Sequence, residues 1–98
     1  MLEKTVEQYL KDKVESIGGL CPKFISPGYN GVPDRIILYN GYTVFVETKA
    51  PGGKPRPLQK KIQAQMKKAG AEIHNIDTRK KVDELINDLK NRKEQNKS

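Results

Sequence analysis

The dipeptide Asn40-Gly41 constrains this chain more than any other pair of residues, because it is the strongest short hairpin signal and strand-forming runs flank it on both sides. Arg35-Ile36-Ile37-Leu38-Tyr39 leads in and Tyr42-Thr43-Val44-Phe45-Val46 leads out, which predicts an antiparallel pair turning at that dipeptide. The register sets Asp34 directly opposite Glu47. Strand side chains alternate, so Asp34, Ile36, Leu38, Thr43, Phe45, Glu47 and Lys49 are expected on one face, and Ile37, Val44, Val46 and Thr48 on the other.

Two facing carboxylates with Cβ atoms roughly 5 Å apart repel each other, by about 3 kcal/mol at an effective dielectric near 20. Such a pair is a poor choice for stability alone and calls for a positive charge between its members. Lys49 supplies one, and a divalent cation would reverse the sign of the interaction. Mg²⁺ suits the site best, since it takes one or two protein carboxylates and completes its shell with water and phosphate oxygens; Mn²⁺ should substitute. The backbone carbonyl of Thr48 is a further candidate ligand, provided its strand hydrogen bond is missing. Taken singly, Pro33-Asp34 is a common turn dipeptide and Glu47-Thr48-Lys49 a common solvated strand pattern. Their joint register is what points to metal-dependent phosphodiester chemistry.

The rest of the chain bounds this reading. Its 98 residues, 35% of them hydrophobic, suffice for one small core. The single cysteine, Cys21, excludes an internal disulfide, and small domains commonly gain stability from a metal or a second subunit, so self-association is expected. A formal charge of +7 favours a polyanionic partner, nucleic acid being the commonest. No apolar run approaches the roughly 18 residues of a membrane span, and the N-terminus has no signal-peptide core. A cytoplasmic protein with no membrane association is the expectation.

Apolar residues Leu2, Val6, Leu10, Val14 and Ile17 recur at helical spacing until Gly18-Gly19. Leu20 to Ile25 reads as a strand with Pro22 inside it, and Ser26 to Pro33 as a loop that delivers the chain to Asp34. After the hairpin, Pro51 to Pro57 is a basic loop at the mouth of the site. Leu58, Ile62, Met66 and Ala69 mark an amphipathic helix ended by Gly70, Ala71 to Ile76 a strand, and Thr78 the cap of a helix buried through Val82, Leu85, Ile86 and Leu89. The expected fold is α/β: a small mixed sheet of about four strands flanked by three helices, in a domain spanning 1–90, with a polar, frayed tail over 91–98.

Other residues compete for roles. Glu7 lies at the boundary of the first helix's apolar stripe and could be a third acidic ligand; Glu3, one turn earlier, competes with it. Gln59 holds a similar boundary position on the second helix. Lys60, Lys61, Lys67 and Lys68 form a stripe on that helix, and Arg79, Lys80 and Lys81 crowd the start of the last one, against its dipole. Such runs are usually solvated faces; beside Lys54 and Arg56 some are expected to meet phosphate. His74, the only histidine, is read as structural and Cys21 as a buried thiol. Gly53-Lys54 lacks both the leading glycine and the trailing hydroxyl of a phosphate loop.

Lys23-Phe24, Ser26-Pro27-Gly28, Gly31-Val32-Pro33-Asp34-Arg35, the run from Glu47 to Lys54, and Pro57-Leu58-Gln59 together resemble the virus-type replication-repair nuclease (VRR-NUC) domain of the PD-(D/E)xK nuclease superfamily. The resemblance extends from about Glu3 to Leu89. It implies catalytic roles for Asp34, Glu47, Lys49 and Gln59, metal ligation by Asp34, Glu47, Thr48 and Glu7, and nucleic-acid contact through Lys23, Lys54, Arg56 and Lys60. Thr48 departs from the apolar residue that many relatives carry there. A chain made of this domain alone resembles the free-standing phage and bacterial members, which implies an Mg²⁺-dependent endonuclease resolving four-way (Holliday) junctions as a homodimer, in a bacterium or phage-infected host. The alternatives are a non-catalytic nucleic-acid-binding module and a general or flap-type DNA nuclease of the same fold.

Overall fold

The computed structural model describes residues 5–94; Glu3 and the end of the polar tail lie outside the described residues. The elements run α1 (Val6–Ser16), β1 (Arg35–Tyr39), β2 (Tyr42–Thr48), α2 (Pro57–Lys68), β3 (Ile73–Ile76) and α3 (Arg79–Asn91). They form one mixed sheet in the order β1-β2-β3, antiparallel at β1–β2 and parallel at β2–β3. The parallel step is made across α2, as a helix-crossed return requires.

The hairpin forms as expected. Asn40 and Gly41 both adopt positive φ, 54° and 88°, the left-handed pair that a two-residue turn needs to match strand twist. Pairing runs from Tyr39↔Tyr42 to Arg35↔Val46, so continuing it by one residue sets Asp34 against Glu47.

One face of the sheet carries the core. Ile37, Val44 and Val46 are fully buried against Leu10 and Val14 of α1 and Val82, Leu85, Ile86 and Leu89 of α3. Each such side chain contributes about 1.5–3 kcal/mol relative to exposure. Local capping places the helices that cover this face: Thr5 Oγ1 accepts the Gln8 N–H at 3.1 Å, and Thr78 Oγ1 accepts that of Lys81 at 3.1 Å.

The sheet has three strands, one fewer than expected. Residues 20–24 do run antiparallel beside β1: Leu20 and Leu38 exchange two 2.9 Å bonds, Ile36 donates to the Pro22 carbonyl at 3.1 Å, and Phe24 donates to the Asp34 carbonyl at 2.9 Å. Pro22 has no N–H to return to Ile36, so the ladder breaks into isolated bridges. The start of the polar C-terminal segment, among the described residues, is bonded back to the sheet. Arg92 donates to both Glu72 oxygens, at 2.8 and 2.6 Å, and the Tyr42 hydroxyl donates to the Lys93 carbonyl at 2.7 Å.

Candidate active site

The opposite face of the sheet is apolar at Ile36, Phe45 and Ile73 and turns polar toward the carboxyl ends of β2 and β3, at Glu47 and Asn75. Glu47, on β2, is 4% exposed, and α2 crosses above it with Gln59 and Gln63 also buried. Lys49 Nζ lies 3.0 Å from Glu47 Oε2, and Gln59 Nε2 donates to the same oxygen at 3.1 Å. No group among the described residues hydrogen-bonds Oε1. Gln59 is itself fixed, because its Oε1 accepts the Arg56 N–H at 2.9 Å at the start of α2, where Pro57 opens the helix. One turn on, Gln63 and Asn75 exchange two amide hydrogen bonds of 2.8 and 3.0 Å, which seat α2 on β3.

Burial pushes the Glu47 carboxyl above its ordinary value, and the charge of Asp34 pushes in the same direction; Lys49 and Gln59 oppose them.

Asp34 stands just before β1, and its carboxylate does not reach across to Glu47 for a hydrogen bond. Its Oδ1 accepts the Thr48 N–H at 3.0 Å and its Oδ2 the Thr48 hydroxyl at 2.7 Å. Continuing the hairpin register sets Thr48 opposite Pro33, which has no N–H to offer the Thr48 carbonyl. The condition under which that carbonyl could serve as a ligand is therefore met on the β1 side. The open Glu47 oxygen, the Asp34 carboxylate and this carbonyl are hard oxygen donors, a set that suits Mg²⁺ or Mn²⁺ and does not suit a soft metal.

Glu7 is placed differently. It lines a cleft of about 190 Å³ with Thr5, Thr48, Lys49 and Ala50, but its Oε2 is bound by Arg35 Nε at 2.9 Å. Arg35, 8% exposed, also donates through Nη1 to the Cys21 carbonyl at 2.8 Å, so the residue after Asp34 ties α1 to β1. Among the described residues no three His, Cys, Asp or Glu side chains converge on one point, so Glu7 does not join Asp34 and Glu47 in a three-carboxylate cluster.

Of the candidate nucleic-acid contacts, Lys23, Lys54, Arg56 and Lys60 are all exposed. Lys54 lies beside Lys49 across a shared cleft, and Lys23 precedes Phe24, whose N–H binds the Asp34 carbonyl. The basic start of α3 is occupied locally: Arg79 stacks over Tyr9, 5.1 Å from the ring centre, and Lys81 pairs with Asp77 at 2.7 Å. His74 binds Glu72 at 2.8 Å, and burial raises the Cys21 thiol to about 11, which agrees with structural roles for both.

Three contributors escaped the sequence reading: Arg35, the Thr48 hydroxyl, and Gln63. Only Gln63 left a usable signal, since it follows Gln59 by one helical turn and so shares its face.

No family model matches the chain. A curated relative, "Putative nuclease p44" of Acyrthosiphon pisum secondary endosymbiont phage 1, is 44% identical over 77 residues, covering 78% of this chain and 83% of the relative. A solved structure titled "VRR_NUC domain" superposes with a TM-score of 0.77 at 36% identity, covering 84% of this chain and 90% of its own.

Proposed function

This chain belongs to the VRR-NUC family of the PD-(D/E)xK superfamily, and from that premise we propose that it is a divalent-metal-dependent DNA nuclease centred on Asp34, Glu47 and Lys49. The observation that carries the reading is the convergence of Lys49 and Gln59 on one oxygen of the buried Glu47, with the other oxygen open. A purely structural carboxylate gains nothing from being buried near a second one.

Asp34, the open oxygen of Glu47 and the Thr48 carbonyl are the residues that would hold the cation. When bound, Mg²⁺ supplies Lewis-acid polarisation of the scissile phosphate and a more acidic water for in-line attack. Lys49, whose Nζ lies 3.0 Å from Glu47, would stabilise the charge that builds on the phosphate oxygens and orient the attacking water. Gln59 keeps the Glu47 carboxylate from rotating, through bonds to that group and to the α2 terminus. The products would be a 5′-phosphate and a 3′-hydroxyl.

The finer reading is resolution of four-way junctions by a homodimer, within the cytoplasm of a bacterium or infected host. Two sites related by a twofold axis can cut opposed strands in concert, which a monomer cannot do. The test is cleavage of a panel of four-way junction, flap and linear duplex under Mg²⁺, with Asp34→Ala as control and molar mass measured in solution. Preferential, paired nicking of junctions by a dimer supports the reading. Equal rates on linear duplex leave a general nuclease, and absence of cleavage by the wild type with either Mg²⁺ or Mn²⁺ leaves a nucleic-acid-binding module.

A further inference from the structure

Next to Lys49 the chain builds a second recess for which the cleavage chemistry has no use. It is a cleft of about 270 Å³ at the carboxyl ends of the parallel strands β2 and β3, lined in part by Lys49, Gly53, Lys54, Asn75, Asp77 and Lys81. Crevices at that end of parallel strands are where α/β sheets receive ligands.

Its outer wall is an ordered turn. Gly53 donates to the Ala50 carbonyl at 2.8 Å, with Pro51 next and Gly52 at a φ of 81°, the pattern of a type II turn. The turn is seated on the lysine: a Cβ at Gly53 would lie 3.1 Å from Lys49 Cβ and 3.0 Å from the Ala50 carbonyl oxygen. It is also tied to the far wall, because the Gly52 N–H donates to Asp77 Oδ2 at 3.0 Å while Asp77 Oδ1 holds Lys81 Nζ at 2.7 Å. Asp77 thus fixes both the loop and the lysine of α3 around the opening.

The charges do not balance. Lys49 is matched by Glu47 and Lys81 by Asp77, whereas Lys54 has no hydrogen-bond or ion-pair partner among the described residues. Three ammonium groups around one recess repel one another and favour an anion with several acceptor oxygens. We propose that this cleft is a phosphate subsite that takes the backbone phosphate adjacent to the scissile one on the same nucleic-acid strand. Lys54 makes the direct contact, Lys81 shares its charge between Asp77 and the phosphate, and Asp77 positions the loop. The proposal rests on the nuclease reading for which phosphate is cleaved, while the binding it predicts can be measured without cleavage.

The experiment uses the full chain with Lys54→Ala, Lys81→Ala and the double variant. Binding to a duplex oligonucleotide is followed by fluorescence anisotropy in Ca²⁺, and cleavage in Mg²⁺. The double variant should raise Kd and KM about tenfold with a fall in kcat of less than threefold, and its slope of log K against log salt should be shallower by about one, the loss of a single phosphate contact. A substrate with one neutral methylphosphonate beside the scissile bond should cost the wild type a similar factor and cost the double variant nothing further. Unchanged affinity and salt slope in the double variant, or a full methylphosphonate penalty persisting in it, would overturn the subsite. A wild type that binds as predicted but cuts no DNA would instead overturn the nuclease reading.

Discussion

The two faces of this sheet are built from the same strands and do opposite things. On the α1/α3 face, Ile37, Val44 and Val46 are fully buried within the hydrophobic cluster. On the α2 face, alternate residues of the same strands bury Glu47 under Gln59 and Gln63, with one carboxylate oxygen held by Lys49 and Gln59 and the other left open. The first face earns stability by excluding water. The second uses hydrogen bonds to hold a carboxylate where burial disfavours its charge, a cost that the first face must cover. Alternation along one hairpin thereby separates folding from chemistry, and the separation can be attacked from either side.

The largest expected effect is on the polar face. Lys49→Ala should lower DNA cleavage by about a thousandfold, equivalent to roughly 4 kcal/mol of transition-state stabilisation, while the thermal midpoint moves by about 5 °C or less. Joint loss of cleavage and folding, seen by circular dichroism, would make Lys49 a structural residue and break the comparison. On the apolar face the pattern should invert. Leu89, fully buried, should cost about 3 kcal/mol when changed to Ala, with cleavage per folded molecule unchanged in denaturant-calibrated assays.

Gln59 belongs to both ledges of the argument, since it caps α2 and holds Glu47. Gln59→Ala should therefore lower stability by about 1 kcal/mol and cleavage by about tenfold together. A change in only one of these would show that its two bonds act separately.

The smallest effect lies away from both faces. Arg92 holds the Glu72 carboxyl at about 2, below its ordinary 4.5, with His74 helping against burial. Because the folded value is depressed, this stabilisation is complete above pH of about 4.5 and is lost as the pH falls toward 2. The carboxylate is about one-third exposed, so screening reduces its worth to about 1 kcal/mol. Urea melts of Glu72→Gln should lose that part of the acid-side decline, and an unchanged profile would assign the decline to other carboxylates.

Much of this division was legible in the sequence, because the features behind it are local. The Asn40-Gly41 turn fixed the register that faces Asp34 with Glu47, and helical spacing named all four buried residues of α3. What escaped depends on contacts distant in sequence. The strand expected at Leu20 to Ile25 fails at one missing proton on Pro22, although its other bonds to β1 form. Glu7 is a candidate ligand by its helical position, and the sequence carries no sign that Arg35, 28 residues later, binds its Oε2. The sequence singles out Thr48 for its carbonyl alone, yet its hydroxyl holds Asp34, because Asp34 sits just before β1 and turns toward the end of the central strand β2.

The most direct test of the account is the rate of DNA cleavage in Mg²⁺ by Glu47→Gln beside the wild type, with Mg²⁺ binding to both followed by calorimetry. The substitution keeps shape and burial while removing the charge. The account predicts a folded variant that neither cleaves nor binds the cation measurably, against a wild type that does both. Cleavage by Glu47→Gln at the wild-type rate would contradict it and move the chemistry off this face of the sheet.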